Sequence, residues 1–322
     1  MTDISKLHQA QDSFLAKWGV PPPMSGRGIV TSLYDKEFVS GYVQLREMAR
    51  LGVTLPIQVW YRPGELSDDQ ISIILNLPLN LTFHHLLDKD VHPWATKMFA
   101  IYRSDFEEVM WIDTDNVPIR NPEFLLDDPE YKAKGSLFWR DVSGVDRARL
   151  WHPEASVWPV MRVPYNDCEE FEAGQFLINK TLCWEALGLA LHFNINHSIY
   201  YDILHFGDKD TFRFAFQHLD FKKHRAIQQV NYLQNPNTVP FGMMPFGPFH
   251  IGAPNPWHKW GGGSVMQQRD RYGKPLFNHR SVSKYTFNQA DLDRYDAEYR
   301  AYGPAEEAIY LEHLRELKNI LG

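Results

Sequence analysis

The sequence predicts an α/β fold, with helices flanking a doubly wound, mostly parallel β-sheet and a helical tail at the C-terminus. Strand and helix patterns alternate from residue 28 to residue 112, a continuous apolar run fills 109–112, and the last segment has helical periodicity. A continuous apolar run is typical of a strand buried on both faces, as in a parallel sheet. Such sheets bind ligands at the carboxyl ends of their strands, so residues that follow strands are candidate site residues.

The individual elements are predicted from their periodicity and from their end signals. The predicted strands cover 28–33, 56–61, 80–83, 109–112 and 171–178. Asp35 and Ser67 are predicted to cap the next helices, because their side chains accept hydrogen bonds from free backbone N–H groups. Pro93 suits the first turn of a helix that ends near Ser104, and further helices are predicted over 180–193 and 210–218.

Three segments are expected along the chain. Residues 1–25 form an N-terminal arm, because Pro21–Pro23 cannot continue a helix. Residues 26–288 form one large domain. Residues 289–322 form a helical tail that is broken at Gly303–Pro304 and packs on the domain through an apolar stripe.

Composition excludes several classes of function. The net charge of -7 argues against a general nucleic-acid surface, which is basic. No stretch approaches the ~20 apolar residues of a transmembrane helix, and the N-terminus lacks the apolar core of a signal peptide. As the sequence stands, we expect a cytoplasmic protein whose two cysteines, Cys168 and Cys183, are free thiols.

The motif Asp-x-Asp occurs four times, at 88/90, 113/115, 208/210 and 291/293. The motif alone therefore indicates no function, and the sequence around each copy must be considered. The first copy lies in a polar turn and the fourth opens a helix, where acidic side chains favour the helix dipole. The third follows Gly207 and begins a helix, so that Asp208 is a capping residue or a site residue. The second copy alone follows a buried strand.

Asp113 and Asp115 therefore emerge together at the edge of the predicted sheet. Residues i and i+2 of an extended chain point to the same side. Two carboxylates so arranged can bind one Mg²⁺ or Mn²⁺ whose other positions are open to phosphate. The alternative is an Asx-type turn that closes the strand. We prefer the metal site.

Three more polar residues are candidates, and each has a structural alternative. Glu172 begins the strand 171–178, where it contacts a substrate hydroxyl or is a solvated strand end. Lys97 lies on the helix before Asp113 and is a counter-charge for a diphosphate or an exposed helical lysine. His279 is a metal ligand from late in the chain or a packed imidazole.

Six runs of sequence occur in an order that is typical of one family. They are Gly26–Val30, Leu55–Tyr61, Phe106–Pro118, Glu172–Gln175, Gly207–Ala215 and Gly273–Arg280. Together they resemble the eukaryotic Golgi α-mannosyltransferases that extend mannan and N-glycan branches. The sequence departs from that family in lacking a membrane anchor, and in having Met266–Gln268 near the place where a histidine is expected.

The resemblance implies a GT-A type fold over residues 26–288 and a retaining, metal-dependent glycosyltransferase. The implied donor is a nucleotide-diphosphate sugar, with GDP-mannose as the first choice and a UDP-sugar as the second. The implied acceptor is a hydroxyl of a carbohydrate or glycan. The Golgi lumen is the implied location if an anchor precedes the sequence.

The resemblance also implies roles for individual residues. Asp113, Asp115 and His279 are implied ligands of Mn²⁺ or Mg²⁺. The implied donor-binding residues are Arg27, Gly28, Lys97, Asp113, Asp115 and Gln175. The implied catalytic residues, which shape the sugar pocket without forming a covalent intermediate, are Glu172, Asp208 and Lys209.

Two other functions stay open. A haloacid-dehalogenase-type phosphatase also has an apolar strand followed by Asp-x-Asp, here Asp113 and Asp115, but that strand is usually the first of its core, and three βα units precede it here. A non-catalytic protein that binds nucleotide sugars is the second alternative, against which the intact carboxylates argue.

Overall fold

The computed structural model describes residues 3–87, 91–140, 152–166, 171–204, 207–222, 243–245, 266–272, 274–280, 284–287 and 305–322. The strands are β1 (Arg27–Ser32), β2 (Ile57–Tyr61), β3 (Leu81–His85), β4 (Glu108–Ile112), β5 (Asn116–Pro118), β6 (Ser136–Arg140), β7 (Phe171–Asn179), β8 (Met243–Pro245), β9 (Met266–Arg269) and β10 (Pro275–His279). The helices are α1 (Ile4–Trp18), α2 (Phe38–Arg50), α3 (Asp68–Leu75), α4 (Thr96–Arg103), α5 (Pro129–Lys134), α6 (Val157–Met161), α7 (Trp184–Ile195), α8 (His197–Leu204), α9 (Lys209–Lys222) and α10 (Ala305–Leu321). Short 3₁₀ helices cover Asp35–Glu37, Pro93–Ala95 and Pro122–Asp127.

The larger sheet has six strands in the order β3-β2-β1-β4-β7-β6. Strands β3, β2, β1 and β4 pair parallel with one another in that order. Strand β7 is antiparallel to both β4 and β6. The connections between the parallel strands contain α2, α3 and α4, as parallel pairing requires. The predicted α/β fold with a mostly parallel sheet and flanking helices is confirmed.

Strand β4 shows why its sequence is apolar throughout. Val109 and Trp111 pack into a core that also contains side chains of α4 and α7. Met110 and Ile112 point to the other face and pack with side chains of α2. Successive side chains of a strand alternate between faces, and both faces of β4 are covered. Its carboxyl end therefore carries Asp113 out of the interior at a fixed point.

A smaller sheet has the strand order β5-β10-β9-β8. Its strand β5 begins at Asn116, directly after the Asp-x-Asp motif. Strand β10 pairs antiparallel with β5, so that His279 lies opposite Asn116. The N–H of Arg280 donates to the backbone oxygen of Asp115 at 2.8 Å. This pairing carries a late segment of the chain back to the Asp-x-Asp motif.

Both ends of the described chain pack against the central domain. Helix α1 of the predicted arm buries Leu7 and stacks the Trp18 ring on Trp184 at 4.7 Å. Helix α10 packs on α2, where His313 Nε2 lies 2.8 Å from the Glu47 carboxylate. The predicted break at 303–304 lies outside the described residues. None of the helices that the structure describes is long and apolar enough to span a bilayer.

Two predicted helix starts need correction. Ser67 caps α3 with a full capping box, as predicted. Asp35 does not cap α2, because a 3₁₀ turn intervenes and its carboxylate accepts from Gln70 Nε2 at 3.0 Å instead. The helix predicted from residue 180 begins at Trp184, because the Lys180 N–H donates to the backbone oxygen of Glu107.

The cysteines are only partly described. Cys183 is a free, buried thiol, and burial raises its pKa to about 12. Cys168 lies outside the described residues.

Candidate active site

Five separate segments of the chain meet at the carboxyl end of β4. The polar residues that they contribute are Lys97, Asp113, Asp115, Glu172, Asp208 and His279. Strand β7 begins there because it is antiparallel to β4, with Ile112 opposite Gln175. Helix α4 begins there because it connects parallel strands and runs back across the sheet. The sheet topology thus brings together residues that lie up to 182 positions apart along the chain (97 to 279).

Asp113 is held by donors on both of its carboxylate oxygens. Trp111 Nε1 donates to Oδ1 at 2.7 Å, and Lys97 Nζ donates to Oδ2 at 3.1 Å. The Asp113 N–H donates to the backbone oxygen of Gly174 at 2.7 Å. Burial raises the pKa of Asp113 to about 6 against the opposing effect of Lys97, and the charges of Asp115 and Asp208 add to the rise.

The Lys97 ammonium group contacts three oxygen atoms of the site. Its Nζ lies 3.1 Å from Asp113 Oδ2 and 3.3 Å from Asp208 Oδ2. It also donates to the backbone oxygen of Ala173 at 2.7 Å. Burial disfavours a charged amine, but the carboxylates of Asp113 and Asp208 hold the pKa of Lys97 above its usual range. The alternative of an exposed helical lysine is therefore wrong, since Lys97 is only 8% exposed.

Asp115 faces the two cations of the C-terminal segments. Its Oδ1 lies 3.4 Å from His279 Nε2, and its Oδ2 lies 3.2 Å from Lys284 Nζ. Burial disfavours the carboxylate, yet His279 and Lys284 hold the pKa of Asp115 well below its usual range. Asp115 is thus ionised within a buried site.

His279 lies between Asp115 and Glu172. Its Nδ1 is 3.4 Å from Glu172 Oε1 and 3.2 Å from Gln268 Nε2. Burial works against protonation of the ring, but the carboxylates of Asp115 and Glu172 outweigh it and raise the pKa of His279 to about 9. Glu172 Oε1 also accepts from the N–H of Gly174 at 2.7 Å. A Cβ at Gly174 would lie 2.6 Å from the His279 ring, so this arrangement requires glycine.

One buried atom suits a divalent cation. Asp115 Oδ1 is buried and has no hydrogen-bond partner, although His279 Nε2 lies 3.4 Å away. Two adjacent ligands, each about 2.1 Å from an octahedral Mg²⁺, lie about 3.0 Å apart. The pair therefore fits two positions of one coordination sphere. Within the described ranges, no group of three His, Cys, Asp or Glu side chains could hold a metal alone, so the remaining positions would need other ligands.

Several site residues were missed by the sequence reasoning. Lys284 contacts Glu37 as well as Asp115, and the Glu37 carboxylate accepts from Tyr34 and from Thr114. Lys284 and Glu37 lie 247 positions apart. Tyr34 follows β1, so the rule that sites form at carboxyl ends of strands could have identified it. No sequence signal indicated Lys284.

An open cleft leads to these residues. A cavity of about 190 Å³ is lined by Lys97, Asp113, Asp115, Asp208 and Lys284, with Tyr34 and Trp94 at its walls. An adjoining cavity of about 430 Å³ shares Tyr34 and Trp94 and continues past the ends of β1 and β2. Trp94 is 56% exposed. Charged groups and flat aromatic surfaces thus lie side by side in one cleft.

Four of the predicted site residues are not brought into the cleft. Arg27 and Gly28 lie at the amino end of β1, opposite Glu108 and Val109, about 13 Å from Asp113 at strand spacing. Arg27 pairs with Glu108 at 2.9 Å, and Gly28 accommodates the Phe106 ring. Their predicted role is corrected accordingly: the other end of β1 lines the cleft.

The other two lie just beside the cleft. Gln175 is buried beneath it, where its Oε1 accepts from Asn116. Lys209 begins α9 next to Asp208 and does not line the described cavity. Asp210 of the same motif is buried 3.6 Å from Arg213 within α9, which is a structural role.

Comparison with known proteins shows which proteins this chain is similar to. Residues 26–156 match the family model described as "Mannosyltransferase putative". Alpha-1,2-mannosyltransferase MNN22 of Candida albicans is 24% identical over 262 residues, which cover 67% of this chain and 44% of the relative. Alpha-1,2-mannosyltransferase MNN2 of Saccharomyces cerevisiae is 24% identical over 261 residues, covering 66% and 43%. The chain thus spans less than half the length of these two relatives.

Solved structures give a weaker likeness. The mannosyltransferase Ktr4p from S. cerevisiae superimposes with a TM-score of 0.40 at 11% identity, over 65% of this chain and 73% of that one. A TM-score this low supports no conclusion about function. The fold is assigned from the strand order and the helices of the structure itself. The resemblance stated from the sequence is confirmed, because residues 26–156 match the mannosyltransferase family model and the chain is similar to fungal α-1,2-mannosyltransferases.

Proposed function

We propose that this protein is a retaining, metal-dependent glycosyltransferase. It moves a sugar, with mannose as the first choice, from a nucleotide-diphosphate donor to a hydroxyl of a glycan acceptor. The observation that carries the proposal is the cluster of Asp113, Asp115, Glu172 and Asp208 with Lys97 and Lys284 at the open end of the sheet. Lys97, Asp115 and Glu172 of this cluster are buried. The choice of mannose rests on the names of the relatives.

The shape of the cleft supports a nucleotide donor. Its larger cavity, beyond the ends of β1 and β2, has room for a nucleoside and has the exposed Trp94 ring as a wall. Its smaller cavity contains Lys284, whose ammonium group can bind a diphosphate as a point charge. The donor would therefore lie with its base toward Arg62 and its phosphates beside Lys284 and Asp115.

The residues present fit a divalent cation at the Asp-x-Asp motif. Asp115 Oδ1 and His279 Nε2, the latter once its ring has lost the proton, would each take one position of the coordination sphere. Asp113 of the same motif would be a further carboxylate ligand. Phosphate oxygens of the donor would complete the sphere. A bound Mn²⁺ or Mg²⁺ supplies Lewis-acid stabilisation of the negative charge that develops on the departing diphosphate.

The remaining side chains bind and orient the sugar. Asp208 and Lys97 line the smaller cavity, and Glu172 contacts His279 beside it. We expect the carboxylates of Asp208 and Glu172 to stabilise the positive charge that develops at the anomeric carbon. With retention, the acceptor hydroxyl approaches from the side of the leaving group, and its proton passes to the departing phosphate oxygen. No side chain of the site is needed as a covalent nucleophile.

The phosphatase alternative receives less support. The nucleophile of that class usually follows the first strand of its core, whereas β1, β2 and β3 all precede the strand that ends before Asp113. The central experiment is a screen of GDP- and UDP-sugars with Mn²⁺ and simple mannosides, read as release of free nucleoside diphosphate. Release from GDP-mannose that needs both the acceptor and the metal supports transfer. Hydrolysis of a chromogenic phosphate monoester, without turnover of any sugar nucleotide, would replace this proposal with the phosphatase.

A further inference from the structure

We propose a second carbohydrate-binding site, outside the cleft, in the cavity between edge strand β3 and the carboxyl end of α4. The cavity measures about 590 Å³, within the range of about 300–1,000 Å³ that is common for small-molecule sites. It shares no lining residue with the two cavities of the cleft. The choice of a glycan segment as its natural ligand rests on the proposed function.

The cavity exists because the helices leave part of the sheet uncovered. Helix α4 packs over β1 and β2. On the same face, β3 presents Thr82 and His84, which the described parts of the chain leave exposed or half-buried. Trp60 and His84 lie opposite each other in the β2–β3 register, and their rings stack at 4.7 Å with an interplanar angle of 20°. This stacked pair is one wall of the cavity.

The second wall is also aromatic and is held in place from behind. The Tyr102 ring lies 6.0 Å from the Trp184 ring at an angle of 31°. Trp184 in turn stacks on Trp18 of α1 at 4.7 Å, and the Trp18 indole donates to the Trp184 backbone oxygen at 2.9 Å. Fixed aromatic walls suit the apolar faces of sugar rings, and they lose little side-chain entropy when a ligand binds.

The polar groups of the cavity favour a neutral ligand. Arg103 and Asp105 lie on the exposed rim, so their opposite charges leave no net attraction for a phosphate or an amine. Asp105 is positioned by Gln58, whose Nε2 donates to it at 2.8 Å and whose Oε1 accepts from Trp60 Nε1 at 3.3 Å. A neutral polyol between aromatic rings, with charged groups at its hydroxyls, satisfies every part of this lining.

Position determines what the site would do. Arg103 and Asp105 precede β4 and so lie near its amino end, whereas His84 and His85 of the same cavity lie at the carboxyl end of β3. The cavity nevertheless shares no lining residue with the cleft, whose site residues follow the carboxyl end of β4. A glycan bound in this cavity would therefore lie outside the reacting group of side chains. It would keep a long acceptor on the protein between transfers.

The test measures binding of mannopentaose to the full chain by titration calorimetry, without nucleotide or metal, with maltopentaose as the comparison sugar. We expect Tyr102→Ala to weaken mannopentaose binding by about tenfold, because it removes one aromatic wall. Tyr272→Ala is the matched control, since Tyr272 is 70% exposed and lies elsewhere. Asp115→Asn, which disables the proposed metal site, should bind mannopentaose normally. Melting temperatures check that each variant is folded.

A second measurement needs no variant. Mannopentaose that carries a photoreactive diazirine should label wild-type peptides around 102–105, whether or not it also labels peptides around 111–115 from the acceptor position of the cleft. Labelling of the peptides around 111–115 alone, unchanged affinity in Tyr102→Ala, loss of binding in Asp115→Asn, or the absence of binding to wild type would each overturn the second site. Failure of the proposed function would appear differently, as the absence of nucleoside diphosphate release while mannopentaose still binds.

Discussion

Two buried lysines lie near the two ends of α4, and their surroundings differ completely. Lys97, at the amino end, contacts the carboxylates of Asp113 and Asp208, which hold its pKa above the usual range although burial opposes this. Lys180, at the carboxyl end, contacts backbone oxygens of Ile101, Tyr102 and Ser104. Burial lowers the pKa of Lys180 to about 8.

The same contrast separates the two edges of the sheet. The carboxyl edge collects buried charges that no part of the fold requires, and such groups usually mark functional sites. The amino edge uses its polar groups to complete the fold. Lys180 binds the free carbonyl groups at the end of α4, and Arg27 joins the start of β1 to Glu108 of β4. We therefore expect substitutions at the carboxyl edge to lower turnover, in addition to any effect on stability, and those at the amino edge to change stability alone.

The largest effect is expected for Asp115→Asn. The change removes one negative charge and almost no volume, so turnover of GDP-mannose should fall on the order of a thousandfold with little change in melting temperature. Asp127→Asn is the matched control at the amino edge, because Asp127 pairs with Arg27 and Lys132. Initial rates of diphosphate release measure both. Equal loss in the two variants would contradict the contrast between the edges.

Lys97→Met should be the most destabilising of the substitutions. Removing the ammonium group leaves the partly buried carboxylates of Asp113 and Asp208 without a counter-charge. Their partial exposure to solvent should keep the cost below the roughly 3–5 kcal/mol of breaking a fully buried pair. Urea denaturation at pH 7 gives the free energy of unfolding. Mn²⁺ with GDP should restore part of the loss, because a cation at the motif again balances the carboxylates. A variant as stable as wild type would show that Lys97 does not balance these charges.

Lys180 should make the free energy of unfolding depend on pH. Its pKa is lowered from 10.5 to about 8 in the folded protein, so between those values the unfolded chain binds more protons. Stability therefore rises with pH through this window, by up to about 3 kcal/mol at one pKa unit per 1.36 kcal/mol. Lys180→Met should remove this rise and leave nucleotide affinity unchanged. Denaturation series at pH 7.5, 9 and 10.5 measure it, and identical pH profiles would refute the role.

The smallest effects come from two glycines, one at each edge. A Cβ at Gly174 meets the His279 ring at 2.6 Å, and a Cβ at Gly28 meets the Phe106 ring at 2.2 Å. Overpacking of either kind costs about 1–3 kcal/mol. Gly174→Ala should also weaken metal-dependent GDP binding, because it displaces His279, whereas Gly28→Ala should lower the melting temperature alone. Calorimetry of GDP with Mn²⁺ distinguishes them, and weakened binding in Gly28→Ala would return the start of β1 to the donor site.

Sequence reasoning succeeded where the information was local. The apolar run 109–112 requires a strand buried on both faces, and the two acidic residues after it must then emerge at the sheet edge. Glu172 and Asp208 were identified through resemblance, and the structure brings them to Asp113. Reasoning failed for Arg27 and Gly28, because a matching run shows which strand is involved and does not show which of its ends faces the ligand.

By itself, the sequence determined the alternation of strands and helices, the mostly parallel sheet, and the position of the Asp-x-Asp motif at its edge. These follow from periodicity, which a chain carries at every residue. Only the tertiary structure decided that Lys284 lies against Asp115 and Glu37, and that Lys180 binds the carboxyl end of α4, the helix that carries Lys97 in its first turn. Those contacts depend on strand order and on the pairing of β10 with β5. Because they join residues far apart along the chain, no local pattern specifies them.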